Sequence, residues 1–154
     1  MNTLTLEAIK AEHAKVAEMI ASFEAQAKFE AAFPVTVSKP SLLPGELLVA
    51  VIITADGKRK YHLTLLPGDN DGASWKDQMD WASSIGGDLP DRVEQAMLHK
   101  YMRDQFKDAA YWSNEKHVSD SVYAWCQGFD YGHQSYLYTG DELRARAVRR
   151  LEIQ

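Results

Sequence analysis

Apolar positions organise this chain. From about Leu4 to Ala32 there is no Gly or Pro, and Leu6, Ile9, His13, Val16, Ile20, Phe23 and Ala27 recur at alternating three- and four-residue steps. That spacing is a heptad seam, set in a background of Ala, Glu and Lys that favours helix. A helix this long with a narrow apolar stripe predicts self-association through Leu6, Ile9, His13, Val16, Ile20 and Phe23. Packing of the stripe on the chain's own domain is the alternative. His13 is a polar interruption of the kind that can fix register. Phe33-Pro34 ends the helix, and Pro40 and Pro44-Gly45 mark an extended connector. The reading divides the chain into an oligomerisation helix (1–33), a connector (34–46) and a domain (47–154).

The pattern then changes to strands. Leu47–Thr54 is a near-continuous, β-branched apolar run, Asp56-Gly57 supplies a turn, and Tyr61–Leu66 returns. Residues 67–72 read as a loop, whose Asp69, Asn70 and Asp71 form a solvated turn without the spacing of a calcium-binding loop. Ser74 and Asp77 open a helix through Trp75, Met79 and Trp81, which Gly86-Gly87 stops. Leu89-Pro90 sets an extended step, and Asp91 with Glu94 opens a second helix, expected to run to Phe106 or Lys107. Beyond it lie short aromatic strands at 111–115, 123–129 and 133–138. From Arg144 to Val148 arginines alternate with small apolar residues, which predicts one closing strand with an inward and a charged face.

These parts, in this order, resemble a known family. The Trp75-to-Trp81 helix, Gly86-Gly87-x-Leu89-Pro90-x-Arg92-x-Glu94, Tyr111-Trp112-Ser113, Tyr123-Ala124-Trp125 with Phe129 and Gly132, and Arg146-Ala147-Val148-Arg149-Arg150 resemble C-type-lectin-like domains of the DUF1566 type, found in phage and prophage proteins. The resemblance spans roughly Tyr61 to Leu151. It implies an α+β fold in which two helices flank small antiparallel sheets and one sheet presents a binding face. Formylglycine-generating enzymes carry a related elbow, but their chemistry needs a pair of cysteines and this chain has only Cys126. The Glu-Pro-Asn, Gln-Pro-Asp and Trp-Asn-Asp triplets of calcium-dependent sugar-binding lectins are also missing from the sequence.

Composition narrows the chemistry further. A 154-residue chain that is 45% hydrophobic can bury a core unaided. Its net charge of −5 argues against nucleic acid as a partner. The single cysteine, the lack of a signal pattern and the lack of a long apolar run predict a cytoplasmically made protein, outside the membrane, that could also be carried on a virion. His13, His62, His99, His117 and His133 lack paired metal-ligand spacing, and Cys126 reads as a small buried hydrophobe. Asp88, Asp91 and Glu94 read as an acid-rich helix start, and Arg144, Arg146, Arg149 and Arg150 as partners for Asp and Glu. No catalytic residue, metal or cofactor is therefore expected.

What remains is an aromatic, amide-bearing C-terminal third. Trp112 and Trp125 read as core, whereas Tyr131, His133, Gln134, Tyr136 and Tyr138 sit on or beside a hairpin tip and are the candidate ligand contacts. The expected function is non-catalytic recognition of a protein or cell-surface ligand by a homo-oligomer. The alternatives are an enzyme on a lectin-like scaffold, with Asp88, Asp91 and His133 as acids and bases, and a small intracellular phage protein that modulates a host partner.

Overall fold

The structure, a computed structural model, describes residues 5–31 and 37–153. Among them the fold is α+β, with three α-helices and two small sheets. The chain divides into two compact units. One contains the first helix and the turn segment Ile53–Lys60; the other contains Lys39–Ile52 and everything from Tyr61 onward.

Helix α1 spans Leu6–Ala31, and its first turn is capped by the Thr5 hydroxyl, which accepts from the Ala8 N–H. Residues 5–28 are exposed throughout, the heptad stripe included: Leu6 is 67% exposed and Phe23 68%. The proposed helix stop at Phe33-Pro34 lies outside the described residues.

Strands β1 (Leu47–Ile53), β2 (Lys60–Leu65) and β8 (Val148–Glu152) form a sheet in the order β1-β2-β8, all but Ile53 and Lys60 within the second unit. The β2–β8 ladder is antiparallel, from Tyr61 opposite Glu152 to Leu65 opposite Val148. The larger sheet runs β3-β7-β4-β5-β6, with β3 at Asn70–Ala73, β4 at Ala110–Lys116, β5 at Tyr123–Gly128, β6 at Gln134–Tyr138 and β7 at Leu143–Ala145.

Two expectations are corrected here. The supposed loop at 67–72 becomes strand from Asn70, because Arg144 on β7 draws in both neighbouring acids: its guanidinium meets Asp69 at 3.0 Å and Asp71 at 2.7 Å. The single closing strand is two strands in different sheets, and the chain crosses between them at Arg146-Ala147. Arg146 breaks the alternation because it is buried. It donates to the carbonyls of Gln105 and Leu66 and lies over the Phe106 ring, while Ala145 and Ala147 are buried too.

Helix α2 (Trp75–Ser84) has the Ser74 cap that the sequence predicts, and the chain leaves it through Gly86 at φ 80°. Helix α3 (Arg92–Tyr101) has the complete Asp91/Glu94 capping box. It ends before the predicted Phe106, in a 3₁₀ turn at Arg103–Gln105.

Successive residues of β4 point to opposite faces, so Trp112 and Tyr111 belong to two cores. Trp112 packs with Ala82 of α2, Leu89, Ala124 and Cys126, and its indole N–H donates to the Ala73 carbonyl at 3.1 Å. Tyr111 packs with Leu98 of α3, with Leu63 and Leu65 of β2, and with Phe106 stacked on Phe129 at 3.8 Å. Burial in the first core pushes the Cys126 thiol up to about 11, as suits a packing residue rather than a nucleophile.

Candidate functional site

Helix α3 covers only part of the sheet face on which it lies. Its Leu98 and Gln95 sit over the Tyr111 end, where the Gln95 amide donates to the Tyr111 carbonyl at 3.0 Å. Past its first residue, Arg92, the face is open. Strand alternation decides what stands there. On β5 the side chains of Tyr123, Trp125 and Gln127 share this face, and the antiparallel register sets Tyr138, Tyr136 and Gln134 of β6 opposite them.

The result is an aromatic cluster. Tyr136 meets Trp125 edge-on at 5.2 Å and Tyr123 at 5.9 Å, and His117 lies 4.4 Å from the Tyr136 ring. The Arg92 guanidinium covers the Trp125 ring at 3.5 Å, close enough for cation–π attraction. Arg92 also ties the ribbon to the helix. Its Nε donates to the Gln134 side-chain oxygen at 3.2 Å, the Gln134 amide donates back to the Arg92 carbonyl at 2.6 Å, and the Arg92 N–H donates to Glu115 at 2.8 Å. These bonds fix the face before any ligand arrives, which lowers the entropic cost of binding.

The five candidate contacts therefore divide. Gln134, Tyr136 and Tyr138 share the open face, with Tyr136 46% and Tyr138 54% exposed. Tyr131 stands out at the turn and is almost wholly exposed. His133 is on the opposite side of the ribbon, where its ring lies against Gly128. The two tryptophans divide as well: Trp112 is core, as expected, and Trp125 is half-buried within the open face. Sequence reading missed Arg92, Glu115 and His117 as companions of Tyr136. Pairing 123–129 against 133–138 from the turn between them would have placed Tyr136 beside Trp125. Nothing local announces Arg92, which arrives from a distant helix start.

No family model and no curated protein matches this chain.

The face holds aromatic rings, amides, one guanidinium and one carboxylate, a set suited to contact with polar and apolar groups. Among the described residues, no three His, Cys, Asp or Glu side chains stand close enough to share a metal ion. Asp88 is engaged by Arg150 at 2.7 Å and Asn114 at 2.9 Å, and Asp91 caps α3. No helix among the described residues is long and apolar enough to cross a membrane.

Proposed function

We propose that this protein is a non-catalytic recognition module of the phage or prophage type, built on a C-type-lectin-like domain. It binds a protein or cell-surface ligand through the Tyr136 face and is multiplied by its α1 stripe. The observation that carries this reading is the open cluster of Tyr136, Tyr138, Tyr123 and Trp125, pre-set by Arg92 and left uncovered by α3. Large rings held rigid at a surface supply contact area at small entropic cost. The lectin-like reading draws support from the order of parts: two helices joined by the Gly-Gly elbow, then aromatic strands, then a closing strand antiparallel to β2.

Tyr136→Ala with Tyr138→Ala is expected to reduce capture of the ligand from a bacterial lysate, or binding to intact bacterial cells, by at least about tenfold. Thermal melting should stay within about 1 kcal/mol of the parent, because both rings are half-exposed. Undiminished capture and cell binding would remove this face from the site.

The exposed α1 stripe supports the homo-oligomer, since four or more such apolar side chains in one row ordinarily meet a partner helix. Ile9→Glu with Ile20→Glu is expected to lower the mass measured by light scattering. An unchanged mass would eliminate the stripe as an assembly surface.

A further inference from the structure

Among the described residues the larger sheet ends at β6, and one side of that strand faces no neighbour in the sheet order. The hydrogen-bond parity of the β5–β6 ladder shows which groups face outward. The Gly128 N–H donates to the His133 carbonyl at 2.9 Å and the Thr139 N–H to the Val122 carbonyl at 2.8 Å. Residues in step with these, Ser135 and Leu137, direct their main-chain groups toward β5. Gln134, Tyr136 and Tyr138 direct theirs outward. The Tyr138 carbonyl accepts from the Asp141 N–H at 2.8 Å within the following turn.

Open edges are normally blunted by Lys, Pro, an inward charge or a bulge. Tyr131–Gly140, reading YGHQSYLYTG, contains no Lys, Arg, Asp, Glu or Pro, and the β5–β6 register runs without a shift. Rings and an aliphatic chain flank the edge on both sides: Tyr136 and Tyr138 on one, Leu137, 37% exposed, on the other.

We infer that a second copy of this chain pairs antiparallel along β6, so that the two Tyr136 faces join into one surface. A strand whose outward groups belong to Gln134, Tyr136 and Tyr138 is self-complementary about Tyr136. Each Tyr136 N–H meets the other's carbonyl, and each Tyr138 N–H meets the other's Gln134 carbonyl, as a two-fold axis requires. Charge selects the same orientation. Arg92 stands over the Gln134 end, while Asp141 and Glu142 follow the Tyr138 end. Antiparallel pairing sets the Arg92 guanidinium of one copy toward the Asp141-Glu142 turn of the other, although Glu115 shares the Arg92 end, and a parallel pairing would set guanidinium toward guanidinium. Asp130 lies with His133 against Gly128, on the other face. Because facing residues of paired strands share a face, the second copy adds its own Tyr136 and Tyr138 to the aromatic cluster. The pairing stands without the recognition reading, and only the joined binding surface rests on it.

The test uses the full chain with the α1 stripe broken by Ile9→Glu and Ile20→Glu, so that any remaining association is not helical. Light scattering should give twice the monomer mass as concentration rises, and adding Tyr136→Pro, which deletes an outward N–H and no inward one, should return it to monomer. A monomer at every concentration, or a dimer that survives Tyr136→Pro, would overturn the pairing. Hydrogen exchange on the same stripe-broken chain, with β6 unaltered, gives a second readout that does not depend on the proline variant folding. The Tyr136 and Tyr138 amides should exchange roughly tenfold more slowly at high than at low concentration. If they exchange equally fast at both, the edge is left to a foreign strand and the inference fails. Dimerisation that persists while ligand capture is unaffected by Tyr136→Ala would remove the recognition reading alone.

Discussion

Glu94→Ala is expected to destabilise the chain by about 3–5 kcal/mol, the cost of breaking a buried ion pair from one side. The Glu94 carboxylate is fully buried and accepts from four directions. Arg150 of β8 reaches it with two nitrogens at 2.7 and 2.6 Å, the Tyr61 hydroxyl of β2 donates at 2.7 Å, and the Asp91 N–H donates at 2.8 Å to close the capping box. One side chain thus joins α3 to the smaller sheet. Its loss leaves the Arg150 guanidinium, three-quarters withdrawn from solvent, with Asp88 and the Leu89 carbonyl as its remaining protein partners. Urea unfolding should show a lower midpoint with an unchanged slope. Replacing both partners, Glu94→Leu with Arg150→Met, should recover part of the loss, because an apolar pair carries no stranded charge. A loss under about 1 kcal/mol for Glu94→Ala would mean that the network is ornamental.

The same groups set the response to acid. Burial alone would raise the Glu94 carboxyl, but the bonds from Arg150, the Asp91 N–H and Tyr61 outweigh it and hold the group below its ordinary value of 4.5. Glu46 is lowered in the same way: burial is overcome by Arg149, Thr64 and the Leu43 N–H. A carboxyl whose value is lower folded than unfolded contributes stability that is fully present above the unfolded value. That contribution is lost as pH falls through about 4.5 and on through the folded value. Thermal melting should therefore drop steeply below about pH 4.5, and the drop should be shallower in the Glu94→Leu, Arg150→Met chain.

Local signals in the sequence were reliable where a residue's role is local. Ser74 and Asp91 cap the helices they announce, and Asp56-Gly57 turns the hairpin it predicts. Three of the four arginines read as partners for acids find carboxylates, Arg144 with Asp69 and Asp71, Arg149 with Glu46 and Arg150 with Glu94, whereas Arg146 meets main-chain carbonyls instead. What stayed hidden depends on distant partners. Asn70–Ala73 has little strand propensity, and only the pairing with β7 makes it one. Arg146 has the same side chain as Arg144 two residues earlier yet is buried, because the crossing between sheets needs a donor for the carbonyls of Leu66 and Gln105. The candidate face shows the same limit. Alternation brings Gln134, Tyr136 and Tyr138 to one side, but the cation that orders them comes from Arg92, whose distance in sequence no short-range pattern spans.

Gly87→Ala is expected to cost about 3 kcal/mol, whereas Gly86→Ala costs about 1–2 kcal/mol, although the two glycines are adjacent. Gly86 has φ 80°, and a Cβ there would meet nothing within 4 Å. Its penalty is the left-handed backbone alone, so asparagine should be tolerated better than alanine. At Gly87 there is no room. A Cβ would stand 2.6 Å from the Leu66 side chain and 2.8 Å from the Val148 carbonyl oxygen. That oxygen is pinned, since it accepts from the Asp88 N–H at 2.9 Å while the Val148 N–H donates to the Asp88 carbonyl at 2.8 Å. Making space for alanine at 87 therefore pulls the elbow off β8 and shifts Asp88, which holds Arg150. Leu66→Ala removes the nearest obstacle and leaves the Val148 oxygen and the Ala147 Cβ, at 3.2 Å, so Gly87→Ala should cost nearly as much when measured against Leu66→Ala alone as it does in the parent. Disappearance of the penalty in the Leu66→Ala background would mean that crowding by the Leu66 side chain, and not the elbow's approach to β8, requires glycine at this position.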